Sequence, residues 1–158
     1  MSLLIHLRTI LLIFPLITYS QSIVWEKNFG GILYDQGYSI QQTSDNGYII
    51  AGRKGAVTES IENTPSISVN GDVFIIKINE NGDFEWEITY THENPNQYSY
   101  AKCIKEDLIN GGFIIGGSHI LKINNSTPPE IEWQNYDINS EDIIITPDGN
   151  YISVGGSS

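Results

Sequence analysis

The chain has 158 residues, 40% of them hydrophobic and 17% charged, which is one domain's worth of sequence with enough apolar matter for a core. Acids outnumber bases 19 to 8, so a net charge of −11 excludes a basic footprint for nucleic acid and any attraction to anionic lipid. One cysteine excludes an internal disulfide framework and a cysteine-based zinc cluster, and 15 glycines with nine tyrosines favour short strands and tight turns over long helices.

The chain opens on Arg8 as its one firm positive charge, with no acid before it. Ile10 to Ile17 then run apolar, interrupted by Pro15, and small residues stand at Thr18 and Ser20. This is the three-part pattern of a secretory signal peptide cut between Ser20 and Gln21. The apolar run is too short for a membrane span, which needs about 20 apolar residues. No cysteine follows it, so a lipid anchor is not indicated. The expectation is a signal over residues 1–20 and a mature domain over 21–158, exported to the periplasm, cell surface or medium, with no span after cleavage. Cys103 is then a lone thiol, expected in a strand as a small hydrophobe.

From Trp25 onward the sequence repeats itself. Trp25, Trp86 and Trp133 stand in similar settings, Ile-Val-Trp-Glu, Phe-Glu-Trp-Glu and Ile-Glu-Trp-Gln. Gly47-Tyr48-Ile49-Ile50-Ala51-Gly52 returns as Gly112-Phe113-Ile114-Ile115-Gly116-Gly117 and as Asn150-Tyr151-Ile152-Ser153-Val154-Gly155. Ile75-Ile76-Lys77-Ile78-Asn79 returns as Ile120-Leu121-Lys122-Ile123-Asn124. The units fall at about 37–92, 98–137 and 141–158.

Each unit reads as four short strands. In the first, strand A runs about Tyr38 to Thr43, B about Tyr48 to Arg53, C from Asp72 to Asn79 and D from Phe84 to Tyr90. Asn46-Gly47 and Asn81-Gly82 supply adjacent residues that tolerate positive φ, as a two-residue hairpin turn requires. With Asn81 and Gly82 as the turn, Asn79 pairs with Phe84 and Lys77 faces Trp86, where its stem lies on the indole and its ammonium reaches the ring or a glutamate. Lys122 and Trp133 repeat the pair across a turn two residues longer. Residues repeated in each unit are scaffold: Trp25, Trp86, Trp133, Lys77, Lys122, Gly47, Gly82, Gly52 and Gly117.

Consecutive hairpins of this size suit a β-propeller blade. The pattern Trp25, Gly30-Gly31, Asp45-Asn46-Gly47-Tyr48, Asp72, Lys77, Asn79, Gly82, Trp86 resembles a family of exported β-propeller-like repeat proteins of the Bacteroidetes, over nearly all of Trp25 to Gly156. The second unit lacks the Gly-Gly after the Trp, the Asp before strand C and the turn glycine. The resemblance implies a secreted or surface-exposed domain, often in longer chains with a C-terminal sorting domain, and no established activity. The expected fold class is all-β, with antiparallel four-stranded repeat units in an incomplete propeller-like array of about two full units plus partial ones. The chain is expected to be a fragment of a longer protein, with self-association through open strand edges as the alternative.

The search for chemistry returns turns. His92 and His119 lie in different units, without metal-ligand spacing. Gly116-Gly117-Ser118 lacks the frame of a nucleophile elbow. Asn79 to Asp83 has the wrong ligand spacing for calcium. Glu85 and Glu87 are read as solvated or paired with lysine. No catalytic, cofactor-binding or metal-binding residue is assigned, and no cofactor is expected. The leading function is a non-catalytic module that binds a protein or glycan, or spaces other domains. The alternative is part of a propeller enzyme, quinoprotein-like or glycan-active, with its catalytic residues outside this chain. The B–C connection of the first unit, about Lys54 to Gly71, is the largest difference between units and the expected contact surface.

Overall fold

Ten antiparallel strands and no helix make up the computed structural model, which describes residues 24–31, 34–55, 71–92, 94 and 97–156. The signal, the Ser20–Gln21 junction and residues 56–70 of the long B–C connection lie outside the described residues. Sheet 1 has the order β1 (Gln36–Gln42), β2 (Tyr48–Gly55), β3 (Gly71–Ile78), β4 (Phe84–Tyr90). Sheet 2 repeats that order with β5 (Ala101–Glu106), β6 (Phe113–Gly117), β7 (Ile120–Ile123) and β8 (Ile131–Asn135). A two-stranded sheet follows, β9 (Asp142–Ile145) with β10 (Tyr151–Val154). The architecture is all-β and consistent with incomplete propeller-like blades.

The sheets stack face to face with their first strands adjacent, β1 beside β5 and β5 beside β9. This stacking explains the composition of the middle strands. A strand covered on both faces has no reason to alternate, and β3, β6 and β7 are accordingly buried along nearly their whole length. Outer strand β4 alternates more, because its far side meets solvent. The largest core cluster lies in the seam between sheets 1 and 2, where Ile49, Ala51, Val73 and Ile75 meet Ile104, Phe113, Ile115 and Leu121. A second cluster, Cys103, Ile114, Ile120 and Ile143, fills the next seam. A third covers the outer face of sheet 1, where Trp25 and Phe29 pack on Phe74, Ile76 and Ile78.

The turns differ from the expected two-residue type. In the first A–B turn Asn46 N–H donates to the Thr43 carbonyl and only Asn46 has positive φ, at 68°. In the first C–D turn Gly82 N–H donates to the Asn79 carbonyl and only Gly82 has positive φ, at 77°. Both are longer turns with a single left-handed residue, the bulged hairpin form. Lys77 does face Trp86, but a bulge follows, so Phe84 pairs with Ile78 rather than Asn79. The Asn79 side chain explains the slip: its carbonyl oxygen accepts from both Asn81 N–H and Asp83 N–H, which holds the turn open by one residue.

Gly47 therefore serves space rather than φ. A Cβ there would stand 2.4 Å from Lys77 Nζ and 2.5 Å from the Ile78 carbonyl. Gly52 and Gly117 each lie where a Cβ would come within 1.9 Å of a backbone carbonyl, that of Gln36 in β1 and that of Tyr100 just before β5 respectively. These close approaches sit at the bulges of β1 and β5.

Candidate functional site

The first seam opens at one end into a cleft of about 660 Å³ between the hairpin turns of sheets 1 and 2. Asp45, Lys77, Glu85, Trp86, Glu106 and Ser126 are among its walls. Trp86 is half-buried and meets Phe113 edge-on at 6.4 Å between ring centres. The contact recurs: Trp25 meets Tyr48 on the outer face of sheet 1 at 5.9 Å, and Trp133 meets Tyr151 in the next seam at 5.8 Å. Each tryptophan thus lies on the first aromatic of the following β-hairpin. None is fully buried, and Trp133 is exposed, because the sheet it leans on has two strands instead of four.

Charge in the cleft is organised around Lys77. Its ammonium is buried and lies 2.8 Å from Asp45 and 3.0 Å from Glu85, and also donates to the Ile78 carbonyl. Burial alone would raise the Asp45 carboxyl; Lys77, the Thr43 hydroxyl and the Gly47 amide outweigh it and hold it at about 2. Burial would likewise lower the Lys77 ammonium, and the two carboxylates push it above its ordinary value instead. Glu106 of sheet 2 spans the seam, accepting from both the amide and the hydroxyl of Ser44 at 2.7 Å. The two carboxylates thus hold Lys77 as an ammonium ion. The ammonium takes the glutamate rather than the indole face, and Glu87 pairs with Lys54 at 3.0 Å.

Lys122 repeats the position with other partners. It faces Trp133, lies 3.1 Å from Glu132 and donates to the carbonyls of Gly111 and Ile123. Where sheet 1 has Asp45, sheet 2 has Asn110, and the carboxylate nearby is Asp107. Asp107 is buried and accepts from Ile109 N–H, Asn110 N–H, Asn110 Nδ2 and the Tyr151 hydroxyl. Burial would raise this carboxyl too, but the Asn110 amide and the Tyr151 hydroxyl hold it below the usual range. Burial and the same contact push the Tyr151 phenol up to about 12.

At the other end of the first seam the structure brings together two histidines that the sequence separates. His92 follows β4, His119 sits in the tight β6–β7 connection, and Tyr136 follows β8. The His119 ring lies 4.7 Å from Tyr136 and 6.2 Å from His92, centre to centre, with Ser118 Oγ 3.0 Å from its Nδ1. Burial, then the charge of His92, depress His119 to about 4. The Ser118–His119 contact joins neighbours in sequence. Among the described residues no group of three or more histidine, cysteine, aspartate or glutamate side chains could hold a metal ion. Cys103 is buried in β5, and burial raises its thiol.

Asp107, Tyr151, Glu106 and the histidine pair were not singled out by motif. The signal for Asp107 is positional: Thr43, Asp107 and Thr146 all close an A–B turn by donating backbone N–H to the residue before an aromatic. Compared with known proteins, the chain matches no family model, no curated sequence and no solved structure.

Proposed function

We propose that the chain is an exported, non-catalytic β-propeller-like module that binds a protein or glycan partner. The observation that carries this reading is the recurrence of one tryptophan-on-aromatic contact, Trp25 on Tyr48, Trp86 on Phe113 and Trp133 on Tyr151. A device repeated at each seam is scaffold, and specificity then resides where the seams differ. The polar cleft of the first seam is such a place. It joins a half-buried tryptophan to hydroxyls, amides and carboxylates held in fixed positions, the composition of a wall that stacks on and hydrogen-bonds a sugar ring. Export rests on the Met1 to Ser20 pattern.

The test has two arms. Mass analysis of the protein recovered outside the cell is expected to start at Gln21; an intact Met1 would overturn export. Saturable binding on a glycan array or to purified cell-envelope protein is then compared for wild type, Glu106→Lys in the cleft, and a chain with residues 56–70 replaced by a short glycine-serine turn. Loss in the first variant alone assigns the cleft, and loss in the second alone assigns the insertion. No saturable binding by the wild type would overturn the binding reading.

A further inference from the structure

The hairpin registers align the three sheets position by position. Ile40, Ile104 and Ile143 occupy one position, paired with Ile50, Ile115 and Ser153 respectively. Ile49, Ile114 and Ile152 occupy another, one residue after the first aromatic of β2, β6 and β10. The first position faces the preceding sheet and the second faces the following one. Ile104 and Ile143 are 1% exposed, and Ile49 and Ile114 are fully covered. Ile40 is 63% exposed and Ile152 is 56% exposed. The difference is neither in the residue nor in the register. It lies in whether a neighbouring sheet is present.

The outward faces of β9–β10 and of sheet 1 are opposite halves of one kind of interface; Trp25 and Phe29 already cover β3 of sheet 1, and the open part of its face is at Ile40. The outward face of β9–β10 shows Ile144, Ile152 and Val154, three exposed aliphatic side chains on one side of a two-stranded sheet. The outward face of sheet 1 shows Ile40 beside a groove of about 240 Å³ lined by Phe29, Ile50, Phe74 and Ile76. In the first seam the matching floor, Phe113, Ile115 and Leu121, receives Ile49 and Ala51 of β2. Ile152 and Val154 stand at the positions of Ile49 and Ala51. β10 therefore presents outward the aliphatic side chains that such a floor receives in the first seam.

We propose that the chain associates head to tail with a second copy of itself, the β9–β10 face of one copy seating on the β1–β2 face of the next. Internal seams always join a forward face to a backward face and never two like faces, so the contact is heterologous and can continue into a ring or an open series. Burying three aliphatic side chains now in water supplies the drive.

The test uses the whole chain and two single variants, Ile40→Glu and Ile152→Glu, read by light scattering over a wide range of concentration. Wild type is expected to form species above the monomer as concentration rises. Each variant alone retains one intact face and is expected to remain a monomer, because its intact face finds no complementary intact face. Mixed in equal amounts, the two are expected to give a dimer of twice the monomer mass, since Ile152→Glu supplies the intact β1–β2 face and Ile40→Glu the intact β9–β10 face, and no larger species. Circular dichroism confirms that both fold, and the milder pair Ile40→Ser and Ile152→Ser repeats the measurement if either does not. A wild type that stays monomeric overturns the proposal. So does a mixture without dimer, or association abolished by Ile152→Glu but untouched by Ile40→Glu, which would mean that like faces pair.

Discussion

The seam between sheets 1 and 2 and the seam between sheet 2 and β9–β10 share a backbone plan and differ in what the plan holds. In the first, the aromatic opposite the tryptophan is Phe113, the turn residue is Thr43, and polarity is pushed to the two ends, Ser44 with Glu106 at one and the His92–His119–Tyr136 group at the other. In the second, the aromatic is Tyr151, the turn residue is the buried Asp107, and the two bond to each other. A phenol hydroxyl in a seam needs an acceptor, and a buried carboxylate needs donors. Each seam changes both positions together. The difference teaches that the stacking geometry tolerates either chemistry, provided that each polar group brought inside arrives with its partner.

The largest expected effect breaks the second seam. Asp107→Ala leaves the Tyr151 hydroxyl and the Ile109 and Asn110 amides without their acceptor, at a cost of about 3 kcal/mol. The matching change in the first seam, Thr43→Ala, removes one hydroxyl bond to Asp45 and is expected to cost about 1 kcal/mol. Urea midpoints of the two variants measure the contrast. Equal losses would mean that Asp107 is not the centre of its seam.

The tryptophans sharpen the comparison next. Trp86 packs on the main core cluster, whereas Trp133 leans on a two-stranded sheet and is exposed. Trp86→Ala is expected to cost about 2–3 kcal/mol, below the full-burial range for a large aromatic, and Trp133→Ala about 1 kcal/mol. A larger loss at Trp133, read by thermal or urea unfolding, would place the weight of the fold in the wrong seam.

His119 tests the far end of the first seam. Its folded pKa, about 4, lies below the ordinary 6.5, so the neutral ring contributes stability that is present above pH 6.5 and lost as pH falls towards 4. Phe74 holds the corresponding place in sheet 1, opposite Gly52 as His119 lies beyond Gly117. His119→Phe is therefore expected to flatten the loss between pH 6.5 and 4, which for the wild type is on the order of 2–3 kcal/mol. Unchanged pH dependence in the variant would mean that the buried ring is not the group that titrates.

Much of this was legible in the sequence. Strand identity follows from the Ile-rich runs between Asn-Gly and Pro-Asp-Gly turns, and the Lys77–Trp86 pairing follows from counting outward from the turn. The count failed near the turn itself because the Asn79 side chain captures two backbone amides, a bond that no propensity encodes. The Asn-Gly pair points to positive φ at Gly47, whereas its role is to leave room for Lys77 and the Ile78 carbonyl, a contact with β3 that local turn rules do not contain. The meetings of Asp107 with Tyr151 and of His92 with His119 join residues 44 and 27 positions apart, across seams whose order only the stacking of sheets supplies.

The smallest expected effect separates the two lysine positions. Asp45 binds Lys77 and is held at about 2, while Asn110 at the matching place in sheet 2 cannot titrate. A depressed carboxyl contributes stability that is fully present above its ordinary value of 3.8 and lost as pH falls from about 4 to 2. Asp45 is more than half exposed, so solvent screens the pair and its share at neutral pH is under about 1 kcal/mol. Asp45→Asn makes sheet 1 resemble sheet 2 at this point, and Glu85 remains to hold Lys77. The variant is expected to be slightly less stable than wild type at pH 7 and to converge with it near pH 2, where wild type has also lost the charge. The Asp107 carboxyl is also held below its ordinary range, so the wild-type acid limb shrinks without vanishing. Urea midpoints at pH 7, 4 and 2 decide it: curves that stay parallel throughout would show that the Asp45–Lys77 pair contributes nothing in solution, and that the two lysines differ in partners but not in energy.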